Sequence, residues 1–119
     1  MTSHVHLIIG AKDEFLLQDI MRDFKKFTSK KVLSAILDNP QESRKEWLLQ
    51  KFQSKGGNTF WGTGNHPIEL WSSKVIEQKL AYLHNNPVEQ GLVFRAEHYV
   101  YSSAIDYAGE KGLLDIDHI

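Results

Sequence analysis

A long run of apolar residues at helical spacing occupies the first third of this chain and limits what it can fold into. Leu17, Ile20, Phe24 and Phe27 recur three and four positions apart, and Val32, Leu33 and Ile36 continue the same face. That period predicts an amphipathic helix from about Glu14 to Leu37. Asn39-Pro40 then ends it and starts a second helix, from about Pro40 to Gln53. In that reading Asn39 is the N-cap, Pro40 takes the first helical position and Glu42 completes a cap-like pattern. Trp47, Leu48 and Phe52 form its buried side. Ser72 is placed to cap a third helix, whose Val75, Ile76, Leu80 and Leu83 face the core. Pro87 lacks a donor and disfavours a helical residue before it, so a kink or stop is predicted near Asn85 or Asn86. One more short helix is expected around Ser102 to Ala108.

Alternation with period two is confined to short stretches. Val5, Leu7 and Ile9 alternate with His4, His6 and Ile8, which predicts a strand from His4 to Ala11. Lys55-Gly56-Gly57-Asn58 reads as a turn. Thr59-Phe60-Trp61 and Ile68-Glu69-Leu70-Trp71 read as two strands around Gly62-Thr63-Gly64-Asn65, a hairpin with Trp61 and Trp71 in its core.

At 119 residues and 41% hydrophobic, with no repeat or linker, the chain fits one domain spanning 1–119. It has no cysteine, which excludes a disulfide framework and a thiolate metal site. No run reaches the ~18 apolar residues of a membrane span. The start lacks a basic segment ahead of an apolar one, so a cytoplasmic location is expected. Net charge is −1, which does not describe a generally basic nucleic-acid binder. Yet Arg22, Lys25, Lys26, Lys30 and Lys31 cluster within ten residues, with Asp23 the only acid among them. Such a patch could neutralise several phosphates, and a solvated helix face explains it equally well.

Two motifs carry chemistry. Histidines two apart on a strand point to one face, so His4 and His6 can offer two imidazoles to one divalent metal. Tyr82 and Asn86, four apart, share a face of a helix. The set of two imidazoles, an amide oxygen and a phenol suits metal-assisted attack by a tyrosine on a phosphodiester.

The wording of both motifs resembles a known family. Met1-Thr2-Ser3-His4-Val5-His6-Leu7 looks like the M-P-N-H-V-H-L segment of the single-tyrosine HUH transposases, in particular the REP-associated tyrosine transposases. Tyr82-Leu83-His84-Asn85-Asn86-Pro87-Val88-Glu89-Gln90-Gly91-Leu92-Val93 looks like their Y-I-H-x-N-P-V-x-A-G-L-V signature, and Tyr101-Ser102-Ser103 matches the Y-S-S after it. His-x-His alone is a weak signal, whereas the tyrosine signature is specific.

The resemblance implies an α+β fold: an antiparallel sheet carrying the His-x-His pair, a ferredoxin-like variant, with helices packed on it. Family members carry a leading strand and helix before the His-x-His strand, which here begins almost at the first residue. A misplaced start, a cut chain and a fragmentary copy would each account for that. A bare strand edge left there would favour a homodimer.

The implied activity is that of a metal-dependent single-stranded DNA endonuclease and strand transferase. Tyr82 would be the nucleophile, His4, His6 and Asn86 the ligands of Mg²⁺ or Mn²⁺, and hairpin-bearing single-stranded DNA the substrate. Arg22, Lys25, Lys26, Lys30 and Lys31 would contact phosphates. The alternative is a DNA-hairpin-binding remnant that no longer cuts. Tyr99 and Tyr101 could stack bases, although packing suffices to explain each of them and Tyr107. His84, two residues from Tyr82, points away from that face, and His66 reads as a turn residue.

Overall fold

The computed structural model describes residues 3–54, 57–58 and 60–119. They fall into two compact units, Met1–Ile8 with Pro67–Ile119, and Ile9–His66.

The second of these is built on helix α1, Leu17–Asp38, and helix α2, Lys45–Phe52. The apolar period of α1 is the one read from the sequence. The junction differs. Asn39 is the C-cap of α1, and residues 40–44 form turns instead of the start of a helix. Asn39 Oδ1 accepts the Gln41 amide at 3.0 Å, a local turn that competes with helix. The Glu42 carboxylate is drawn forward to the Arg44 amide and guanidinium, at 2.9 and 3.1 Å, and completes no capping box. Lys45 Nζ reaches back to the Leu37 carbonyl at 2.6 Å, supplying a donor to an orphan oxygen at the end of α1.

The other unit centres on helix α3, Ser73–Glu89. Ser72 caps it as expected, its hydroxyl accepting the Val75 amide at 3.3 Å. Of the kink or stop expected near Asn85 or Asn86, the stop does not occur: the helix runs through Pro87. Pro87 costs one intrahelical bond but sits within the last turn, and its own carbonyl is used. Leu92 N–H donates to Pro87 O and Gly91 N–H to Val88 O, each at 2.9 Å, with Gly91 at φ +69°. This is a Schellman closure, which needs a residue that tolerates a left-handed backbone. After it come a 3₁₀ turn at Ala96–His98, which packs on α3, and helix α4, Ala104–Tyr107, which packs on that turn. The short final helix matches expectation. Pro87 and Ala104 are the buried apolar residues of this unit among those described.

The expected α+β fold with an antiparallel sheet is overturned. Among the described residues the only strands are β1, Gln53–Ser54, and β2, Gly57–Asn58, which pair with each other antiparallel. His4 to Ala11 joins no ladder, and Val5, Leu7 and Ile9 remain exposed. Alternation marks a face, but a strand also needs a neighbour to pair its amides and carbonyls, and β1 and β2 serve only one another. The predicted hairpin fails for a tertiary reason. Trp61 is drawn to α1, where its Nε1 donates to Thr28 Oγ1 at 2.9 Å and its ring packs on Phe24. Trp71 is 75% exposed and is not core. Thr59, Lys55 and Gly56 lie outside the described residues. The homodimer expected from a bare sheet edge loses that support. No helix among the described residues is long and apolar enough to cross a membrane.

Two outcomes follow from α3. Gly91→Ala meets no atom within 4 Å of its new Cβ, so the whole penalty is backbone strain of about 1–2 kcal/mol. It should appear as a lowered urea midpoint with an unchanged m-value. The His84 imidazole shares a 2.9 Å hydrogen bond with Ser103 Oγ, and its burial pushes it below its ordinary range. The ring is then held neutral in the fold, while the unfolded chain takes up the proton first as pH falls below about 6.5. Stability should therefore be full above that pH and fall as acid carries the chain through the folded value. His84→Gln should lessen that fall in denaturation curves taken between neutral pH and mild acid.

Candidate functional site

The first unit brings together side chains that are more than seventy positions apart. The rings of His4 and His6 lie with centroids 4.9 Å apart and planes at 90°. The His6 ring in turn meets the edge of Tyr82, at 5.8 Å and 76°. The sequence placed the two histidines on one face of a strand. They do share a side, without a strand to hold them.

That spacing can be tested against a metal. A nitrogen–metal bond of ~2.1 Å puts each ring centroid about 3.2 Å from the ion. Two imidazoles at right-angled or tetrahedral positions then have centroids about 4.5–5.2 Å apart. The observed 4.9 Å lies inside that interval. His6 is also kept neutral and available as a donor. Desolvation pushes its pKa below the ordinary value, and the neighbouring His4 pushes it the same way.

Asn86 lies one turn beyond Tyr82 on α3 and is only 6% exposed. Its Nδ2 is buried without a hydrogen-bond partner among the described residues. The two ends of an amide are exchangeable by a flip. Turned over, the amide would present its oxygen at that position instead. The spacing of His4 and His6 thus fits two imidazole donors to one divalent ion. Among the described residues no three histidine or acidic side chains gather into an alternative site.

Tyr82 is 55% exposed. His84 turns away from it, as its position predicts, and meets Ser103 and the ring of Tyr107. Tyr107 also packs on His118, and its hydroxyl accepts the Ile119 amide at 3.1 Å. Packing therefore accounts for Tyr107. Tyr99 and Tyr101 stack edge to face, and Tyr101 remains 78% exposed. The role of Ser103 was not read from the sequence. Its signal was present in Tyr101-Ser102-Ser103, but which hydroxyl would meet His84 depends on packing across nineteen residues.

The basic cluster belongs to the unit Ile9–His66, all on α1, and its members differ. Arg22 is bonded to Asp19 and Asp23, so its charge is compensated nearby. Lys31 lies over the Phe27 ring at 5.7 Å. Lys25 donates to Asn65 Oδ1 at 2.8 Å. Lys26 and Lys30 have no hydrogen-bond or ion-pair partner among the described residues. His66 belongs to this unit as well.

Comparisons with protein-family models, with curated proteins and with solved structures find no match to this chain.

The geometry of the imidazole pair makes its own forecast. In an NMR titration His6 should gain its proton below the ordinary value near 6.5. In His4→Gln it should move part of the way back, because the charge repulsion is removed and the desolvation remains. No movement would mean that the two rings are not neighbours in solution.

Proposed function

We propose that the chain is a metal-dependent DNA-cleaving and strand-transferring enzyme of transposase type, with Tyr82 as nucleophile. The observation that carries this reading is the convergence of His4, His6 and Tyr82 within one unit. The wording of the tyrosine signature supports it.

The residues divide the work as follows. Tyr82 Oη attacks a backbone phosphorus in line with the bond to the 3′-oxygen. A P–O bond forms to the phenol and the bond to the 3′-oxygen breaks. The phenol loses its proton and the departing 3′-oxygen gains one. The product is a 5′-phosphotyrosine and a free 3′-hydroxyl, so the bond energy stays available for rejoining without a nucleotide cofactor. α3 fixes Tyr82 against the His6 ring, which restricts the directions from which a phosphate can approach. His4, His6 and Asn86 would hold Mg²⁺ or Mn²⁺, with two nitrogen donors favouring Mn²⁺. When bound, such an ion neutralises charge on the phosphate oxygens. The substrate on this reading is single-stranded DNA bearing hairpins.

The test uses end-labelled single-stranded DNA with hairpins, mixed with protein and either Mn²⁺ or EDTA. A metal-dependent, protease-sensitive covalent adduct is expected, absent in Tyr82→Phe, which keeps the ring contact with His6 and should still bind DNA. Cleavage that persists in Tyr82→Phe would sink the assignment. Binding without any adduct in the unaltered chain would leave a DNA-binding remnant.

A further inference from the structure

The unit Ile9–His66 contains a cleft of about 360 Å³ lined by Lys25, Lys26, Ser29, Trp61 and Gly62. Its walls are fixed. Trp61 is held at its Nε1 by Thr28, at 2.9 Å, and on its ring by Phe24 and Phe60, with centroids at 5.7 and 5.3 Å. Thr28 is itself anchored to the Phe24 carbonyl at 2.8 Å. An indole immobilised in this way loses little freedom when something stacks on it.

Two lysines line the same wall. The ammonium of Lys25 is oriented by Asn65 at 2.8 Å, and that of Lys26, without a partner among the described residues, is free to turn towards a ligand. Ser29 is buried behind them, its hydroxyl donating to the Lys26 carbonyl at 3.2 Å. Gly62 adds no side chain, and a Cβ there would meet nothing within 4 Å, so that wall stays open. None of the five lining residues is acidic. Two lysines and a held indole lining one depression complement a ligand that joins a phosphate to a flat ring.

We propose that this cleft binds a nucleoside monophosphate unit, its phosphate on Lys26 and Lys25 and its base against Trp61. The unit comes either as a free nucleotide or as one nucleotide of a single strand. The proposal uses none of His4, His6, Tyr82 or Asn86, so it stands or falls separately from the cleavage reading.

The experiment follows the indole N–H resonances of the ¹⁵N-labelled full chain, with Trp47 and Trp71 as internal controls. Three probes are titrated: thymidine monophosphate, inorganic phosphate, and an oligothymidine with no hairpin. The Trp61 resonance should move with thymidine monophosphate, with the oligothymidine, or with both, and inorganic phosphate alone should bind more weakly. Equal affinity for the two thymidine probes identifies the free nucleotide as the source. Much tighter, salt-sensitive binding of the oligothymidine identifies the strand. In Lys26→Gln, an exposed change that leaves the packing of Trp61 alone, affinity should fall about tenfold. A Trp61 resonance that moves with none of the probes would overturn the proposal, as would undiminished affinity in Lys26→Gln. Phosphate binding as tightly as thymidine monophosphate would do the same, because the ring would then contribute nothing.

Discussion

The last turn of α3 is the constraint on which the tyrosine-bearing unit depends. There Pro87 is fully buried, Asn86 nearly so, and the chain reverses through Gly91 in a left-handed conformation. The two backbone bonds of that reversal absorb carbonyls that would otherwise be orphaned at a buried helix end. Because the end is fixed, the register of the whole helix is fixed, and with it the directions in which Tyr82, His84 and Asn86 project. Tyr82 goes to His6 and His84 goes to Ser103, two ties on different sides of one helix. A shift of one residue would break both.

Part of the tyrosine signature can accordingly be read as structural grammar. Gly91 is required by its positive φ, and Pro87 occupies a position where its carbonyl is wanted and the cost of its missing amide is smallest. Ser103 and His84 fasten the segment after the helix back onto it. Tyr82, its ring more than half exposed, and Asn86, its Nδ2 buried without a partner among the described residues, are less well explained in this way.

What the sequence discloses tracks how local each interaction is. The helices α1 and α3 and the Ser72 cap are written in spacings of three and four residues, and they are where those spacings put them. The strands were not recoverable in the same way, because Val5, Leu7 and Ile9 alternate whether or not a partner exists. The Asn39-Pro40 junction misled because Glu42 had a second suitor, Arg44, two residues on. At the site, the pairing of His4 with His6 and of Tyr82 with Asn86 was legible from spacing. The meeting of His6 with Tyr82 was not, since nothing local encodes contact across that distance. On α1 spacing alone weights five cations equally, whereas Asp19 and Asp23 offset Arg22 and Phe27 receives Lys31.

If the proposed reading holds, the buried Nδ2 of Asn86, unpartnered among the described residues, would tie folding to occupancy. A buried polar atom without a partner leaves the folded chain less stable by roughly 1–3 kcal/mol than it could be. Any group that completes that valence returns the deficit, and returns it only to the folded state, since the unfolded chain has water to satisfy the same atom. Stability would then depend on ligand concentration, with the last turn of α3 as the place where the two are exchanged. A chain arranged in this way would be firmest while engaged and loosest while idle, and its turnover by proteolysis would follow its employment.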